Sequence, residues 1–157
     1  MKMLKAPNVI PEFDSPSIFL AGSIEMGVAE QWQERLGNML TDIKCILLNP
    51  RRDDWDSSWV QSIDNPEFNQ QVTWELDGLD YAETIVFYFD PNTKSPITLM
   101  ELGYVASMQR HLTDVIVCCP YGFWRKGNVD IMCKHTGMKM ANSLEEVAEF
   151  IKNKYKN

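Results

Sequence analysis

The chain has 157 residues, with 15 Lys and Arg against 22 Asp and Glu and a formal net charge of -7. That length suits one domain, 1–157, burying roughly two thirds of the surface its unfolded chain exposes. A composition of 45% hydrophobic and 24% charged residues is that of a folded globular protein rather than a disordered one. The acid excess argues against binding to nucleic-acid polymers, which takes clustered Lys and Arg to displace phosphate counterions. It leaves room for small anions, which need only one or two basic groups or a helix N-terminus.

The longest apolar runs, such as Ile46 to Leu48 and Ile85 to Phe89, are too short to cross a bilayer. The segment Met1 to Pro7 lacks the apolar core of a secretion signal. Cys45, Cys118, Cys119 and Cys133 contain no Cys-x-x-Cys pair, and are expected as reduced, mostly buried thiols of a cytoplasmic protein.

In chain order, Ser17 to Ala21 is a short apolar run closed by Gly22-Ser23, a buried strand and a tight turn. Ala29 to Leu40 carries Trp32, Leu36, Met39 and Leu40 at helical spacing. Cys45 to Leu48 is a second strand, stopped by Asn49-Pro50. Polar residues from Arg51 to Asn65, with Trp55 and Trp59, form a long loop of the kind that often carries function. Pro66 opens a helix with Phe68, Val72, Leu76 and Leu79 on one face. Thr84 to Phe89 is a third strand, ending at Asp90-Pro91, and Ser95-Pro96 caps a helix running to about Gln109. Asp114 to Cys119 is a fourth strand, followed by a loop and a short helix. Lys139 to Ala141 is a very short fifth strand, and Ser143-Leu144-Glu145-Glu146 is a capping box that opens the last helix.

Apolar strands alternating with helices mean a parallel sheet covered on both faces. Five of them in this length predict a flavodoxin-like doubly wound five-stranded fold. Ligands of such sheets bind outside the C-terminal strand ends, at Gly22-Ser23, the Asn49-Pro50-Arg51 turn, the Asp90 loop and the Pro120 loop.

Two acids stand in apolar stripes. Glu101 shares a face with Ile97, Tyr104, Val105 and Met108, and Glu75 lies three and four residues from Val72 and Leu79. Burying a lone carboxylate costs several kcal/mol or shifts its pKa by whole units, so each position needs a reason. An Arg or Lys partner is one. The other is a shared cleft in which two carboxylates act as nucleophile and proton donor, as in retaining glycosidic chemistry. Asp77 lies toward the solvated side.

Phe19-Leu20-Ala21-Gly22-Ser23-Ile24, Trp74-Glu75-Leu76-Asp77-Gly78-Leu79 and Ser95-Pro96-Ile97-Thr98-Leu99-Met100-Glu101-Leu102-Gly103-Tyr104 resemble, in order and spacing, the nucleoside 2-deoxyribosyltransferase superfamily. Asn49-Pro50-Arg51-Arg52 with Trp55, and Arg125-Lys126-Gly127-Asn128-Val129, are similar to its deoxyribosyltransferase-like subgroup. The resemblance implies that Glu101 attacks C1′ of a deoxyribose and that Glu75 protonates the departing base. Asp77 is a second candidate for base contact, and Asn128 lies in a segment that reaches a neighbouring subunit's site. It implies a small nucleoside or nucleotide and a free nucleobase as partners, a homo-oligomer, and no cofactor. Transfer between bases is the leading activity it implies. Hydrolysis of nucleosides or their 5′-monophosphates, or a non-catalytic nucleotide-binding module, are the alternatives.

Where well-known transferases carry an acid six residues before the nucleophile, this chain has Ser95. Asp90 or Glu75 is the candidate to take that role, or the Ser95-Pro96 helix start holds a sugar oxygen or a phosphate. Gly22 and Ser23 are placed for ligand contact by the fold rule. Arg51 is the basic residue nearer the strand end. Trp55 and Trp59 suit stacking on a base or packing on the core. His111 and His135 lack paired ligand spacing, so no metal site is expected.

Overall fold

Helices of the computed structural model lie on both faces of one parallel sheet; residues 1–12, 14–25, 29–108 and 114–156 are described. The elements are β1 (Lys2–Lys5), β2 (Ser17–Gly22), α1 (Trp32–Met39), β3 (Ile46–Asn49), α2 (Pro66–Tyr81), β4 (Thr84–Tyr88), α3 (Pro96–Ser107), β5 (Asp114–Cys118), α4 (Lys126–Thr136), β6 (Lys139–Ala141) and α5 (Leu144–Tyr155). The sheet order is β1-β3-β2-β4-β5-β6, all neighbours parallel. The five expected strands take the doubly wound order, and a sixth, β1, extends the edge beyond β3. Lys2-Met3-Leu4-Lys5 lacks an apolar run because it is an edge strand, and terminal lysines are what such an edge carries to block further pairing. The projected helix end at Gln109, and His111, fall outside the described residues.

The alternation of side chains along each strand separates two cores. Ile18, Leu20, Leu47, Val86, Tyr88, Ile116 and Cys118 pack under α1 and α5, with Trp32, Leu36, Val147 and Ile151. Phe19, Ala21, Leu48, Ile85, Phe87 and Val117 face the other way, under Trp74 and Leu79 of α2, Leu102 and Val105 of α3, and Val129 and Cys133 of α4. Glu75 and Glu101 therefore belong to neighbouring helices on one face. The direction of chain growth reverses at β2, which pairs with β3 on one side and β4 on the other. The crevice at the C-terminal ends of β2 and β4 is the site-forming position of such sheets. All four cysteines are free and buried.

Two glycines set how closely the layers approach. A Cβ on Gly22 would lie 2.6 Å from the Tyr88 carbonyl oxygen and 2.7 Å from the Trp32 ring. A Cβ on Gly78 would meet the Phe19 ring at 2.4 and 2.5 Å, so α2 rests directly on β2. Gly78→Ala tests that approach. Alanine gains about 1 kcal/mol of helix propensity, but overpacking against a fully buried ring costs about 1–3 kcal/mol. A net loss of about 1 kcal/mol is expected in urea denaturation, and a stabilised variant would show that the contact is loose.

Candidate active site

The third helix is apolar nearly all round, so its hydrophobic pattern does not choose a face. Its buried residues are Thr98, Glu101, Leu102 and Val105. Ile97 is 56% exposed, Met100 63% exposed, and Tyr104 reaches outward to donate to Asp80 Oδ1 at 3.0 Å. The expected stripe through Ile97 and Tyr104 is thus rotated, while Glu101 stays inside at 8% exposure. The second helix shows a similar offset. It buries Gln71, Trp74, Gly78 and Leu79, leaving Leu76 exposed and Glu75 at the margin of the buried face.

Local contacts fix both helices. Asn65 Oδ1 caps α2 by accepting from the Phe68 amide, and Trp74 Nε1 donates to the Asn8 carbonyl at 2.7 Å. Gln71 Nε2 donates to the Pro50 carbonyl and to Glu75 Oε1, both at 2.7 Å. This ties α2 to the end of β3 and holds one oxygen of Glu75. Burial pushes Glu75 up to about 7, even against the Gln71 hydrogen bond. Burial pushes Glu101 up to about 8, and the charge of Glu75 adds to that rise. Both carboxyls therefore hold their protons well above the ordinary carboxylate range.

The helix start at Ser95 differs from a simple cap. Ser95 is left-handed, at φ 48°, and its side chain makes no capping bond. The hydroxyl instead joins Ser23 Oγ at 2.5 Å and Thr93 Oγ1 at 2.8 Å, while Thr93 also donates to Ser23 at 2.9 Å. Ser23 Oγ accepts from the Asp90 amide, so this buried hydroxyl cluster locks the ends of β2 and β4 to α3. The amides of Lys94 and Ser95 both donate to Glu25 Oε1. A carboxylate of the protein itself therefore sits at the positive end of α3.

Asp90 is buried, with Oδ1 accepting from the Asn92 amide and Oδ2 from the Glu30 amide. Gly22 makes the close approach to Tyr88 already described. Arg51 donates from Nη2 to the Ala29 carbonyl at 3.2 Å, and its buried Nε and Nη1 have no partner. Burial lowers its pKa, and the opposing charge is that of Glu34 rather than of either catalytic candidate. Arg52 pairs with Asp54 at 2.8 Å and lies 5.0 Å over the Trp59 ring, which meets Trp55 edge-on at 5.1 Å. Asp77 is exposed and lines a groove of about 660 Å³ with Pro7, Ile10, Asn69 and Trp74. Asn128 is exposed on the first turn of α4.

The structure thus joins Glu75 to Glu101, and Ser23 to Asp90 and Ser95. Asp77 and Asn128 are exposed and make no hydrogen bond or ion pair with either group among the described residues. Gln71, Thr93 and Glu25 are additions. Gln71 was legible as the residue one helical turn before Glu75; nothing in the pattern marks Glu25.

Residues 15–123 match the family described as nucleoside 2-deoxyribosyltransferase like. The chain belongs to this family. Comparison with curated proteins gives no match. The match spans β2 through the start of the loop before α4, and so includes both glutamates, the hydroxyl cluster and Arg51. No group of His, Cys, Asp and Glu among the described residues is arranged to hold a metal ion, and no described helix is long and apolar enough to cross a membrane.

The raised carboxyls make stability pH-dependent. A group whose folded pKa exceeds its unfolded one favours folding below the unfolded value and loses that contribution as pH rises through the folded value. For Glu75 and Glu101 that window runs from 4.5 to about 8. Glu101→Gln removes one member and its repulsion. It is expected to unfold at higher temperature than the parent at pH 8.5, by the equivalent of about 1–3 kcal/mol, and to show a smaller difference near pH 4.5. Equal melting-temperature differences at the two pH values would contradict the buried pair.

Proposed function

We propose that the protein transfers 2-deoxyribose between nucleobases through a covalent glycosyl-glutamate on Glu101, with Glu75 as the proton donor and acceptor. The observation that carries this reading is the pair of mutually repelling carboxylates on α2 and α3, one at 8% exposure, both held near neutral pKa. A structural ion pair would need a cation. Neither glutamate has one among the described residues: the charge acting on Arg51 is that of Glu34, and Arg52 pairs with Asp54.

The chemistry follows from charge. As the glycosidic bond lengthens, positive charge develops at C1′ and favours the ionised form of Glu101, while Glu75 carries the proton. A Glu101 oxygen bonds to C1′, the C1′–N bond breaks with its electron pair going to the base, and a ring nitrogen of the base takes the Glu75 proton. An acceptor base then attacks C1′, expelling Glu101 and returning a proton to Glu75. Two inversions give retention. Gly22, Ser23, Asp90 and Ser95 shape the crevice floor in this reading, and Arg51 is available to a ligand oxygen.

Hydrolysis is the second reading, with water as acceptor. The observation favouring it is the engagement of Ser95, which stands where transferases have an acid, in the hydroxyl cluster. Leu76 on α2 and Ile97 and Met100 on α3 are exposed apolar side chains suited to contact with a second copy of the chain, whose Asn128 would complement the site. A cytoplasmic location fits the four free thiols.

The test incubates a deoxynucleoside with and without a second free base. Formation of the new nucleoside supports transfer, and free sugar alone supports hydrolysis. Neither product would refute both. Glu101→Ala and Glu101→Gln are expected to lower turnover by at least about a thousandfold while remaining folded. A 2-fluoro-deoxyribosyl analogue should add its sugar mass to Glu101.

A further inference from the structure

The side-chain amide of Gln71 is 4% exposed and only half satisfied. Its nitrogen donates to the Pro50 carbonyl and to Glu75 Oε1, each at 2.7 Å, while its oxygen is buried with no partner. The orientation of the amide is determined by these neighbours. Turning it over would set its oxygen against the Pro50 carbonyl, which can only accept. A buried acceptor without a donor costs about 1–3 kcal/mol, so its retention next to a candidate catalytic acid calls for a donor that arrives from outside the chain.

The same amide decides where Glu75 carries its proton. Oε1 already accepts from Gln71, so the neutral acid holds its hydrogen on Oε2. One helical turn apart on α2, the two residues then offer one acceptor, Gln71 Oε1, and one donor, Glu75 Oε2–H. The complementary edge has a hydrogen-bond donor next to a ring nitrogen that can take a proton. Adenine presents this edge at N6–H₂ and N7, and cytosine at N4–H₂ and N3. The N7 edge of hypoxanthine offers O6 in place of the amino group, and two acceptors facing Gln71 leave its oxygen unpaired.

We propose that Gln71 selects the base, its Oε1 accepting from an exocyclic amino group while its Nε2 holds Glu75 so that the acid hydrogen points to the adjacent ring nitrogen. This rests on the transferase reading for the identity of the ligand as a nucleobase, but the recognition step needs no turnover. Glu101, on α3, is the titratable group on another element that the charge of Glu75 acts on.

The experiment is calorimetric titration of free adenine and free hypoxanthine into the unmodified protein and into Gln71→Met, at pH 6, where Glu75 is largely protonated. The unmodified protein is expected to bind adenine roughly tenfold more tightly, the worth of one hydrogen bond, and Gln71→Met to lose that preference. Equal affinities in the unmodified protein, or no binding of either base, would overturn the proposal, and this arm needs no variant to fold. A preference that survives Gln71→Met would also overturn it. If the preference is present but neither transfer nor hydrolysis occurs, base selection by Gln71 stands and the catalytic reading fails.

Discussion

Two carboxylates whose proton affinity burial raises, Glu75 and Glu101, the charge of the first adding to the rise of the second, are held on one side of the sheet by elements that leave them little freedom to separate. Each unit of raised pKa is about 1.4 kcal/mol held against the charged form, and that cost is met by packing elsewhere. The second helix is seated by Gly78 against Phe19, by Trp74 on the Asn8 carbonyl and by Gln71 on the Pro50 carbonyl. The third is seated by Leu102 and Val105 in the core and by the hydroxyl cluster at its start. These contacts pin both helices at both ends of the segment that carries the acid, which is what a pair of repelling groups requires to stay paired.

The start of α3 accounts for the departure at Ser95. An acid there would be buried among Ser23 and Thr93, beside a carboxylate that already accepts from the Lys94 and Ser95 amides. Glu25 supplies that carboxylate from the β2–α1 segment. Negative charge at the head of the helix is thus retained, on a different element, and a hydroxyl replaces the acid where space and charge would not admit a second one. Both Glu25 and Ser95 have positive φ, the backbone cost of bringing these groups together.

The fold was legible because its strands are apolar runs punctuated by Gly, Asn-Pro, Asp-Pro and Pro, signals that depend only on local chemistry. The strand β1 escaped because an edge strand protected by lysines looks like a polar terminus. Helix faces were read less well. In α3, Ile97, Leu99, Met100, Leu102, Tyr104 and Val105 surround the axis, so apolarity alone does not say which side is inward; Glu101 lies inside, as its stripe implied, while Ile97 and Tyr104 of that stripe turn outward. Asp90 and Arg51 were placed correctly at strand ends, but their partners, the Glu30 amide and the Ala29 carbonyl, lie on a loop whose path no periodicity encodes. Asp77 and Asn128 came from the family resemblance, and both are exposed.

Near-neutral proton affinity is also what the proposed retaining reaction asks of one pair that serves both of its halves. A carboxyl with an ordinary pKa would be ionised at pH 7 and have no proton for the departing base; one far above neutral would not release it. The Gln71 hydrogen bond lowers Glu75 while burial raises it, and the balance falls at about 7. In the proposed reaction Glu101 needs no such partner, because the positive charge developing on the sugar ionises it at the moment of attack. The two acids can therefore differ in role while sharing one environment: one is tuned by a fixed amide of the protein, the other by the substrate.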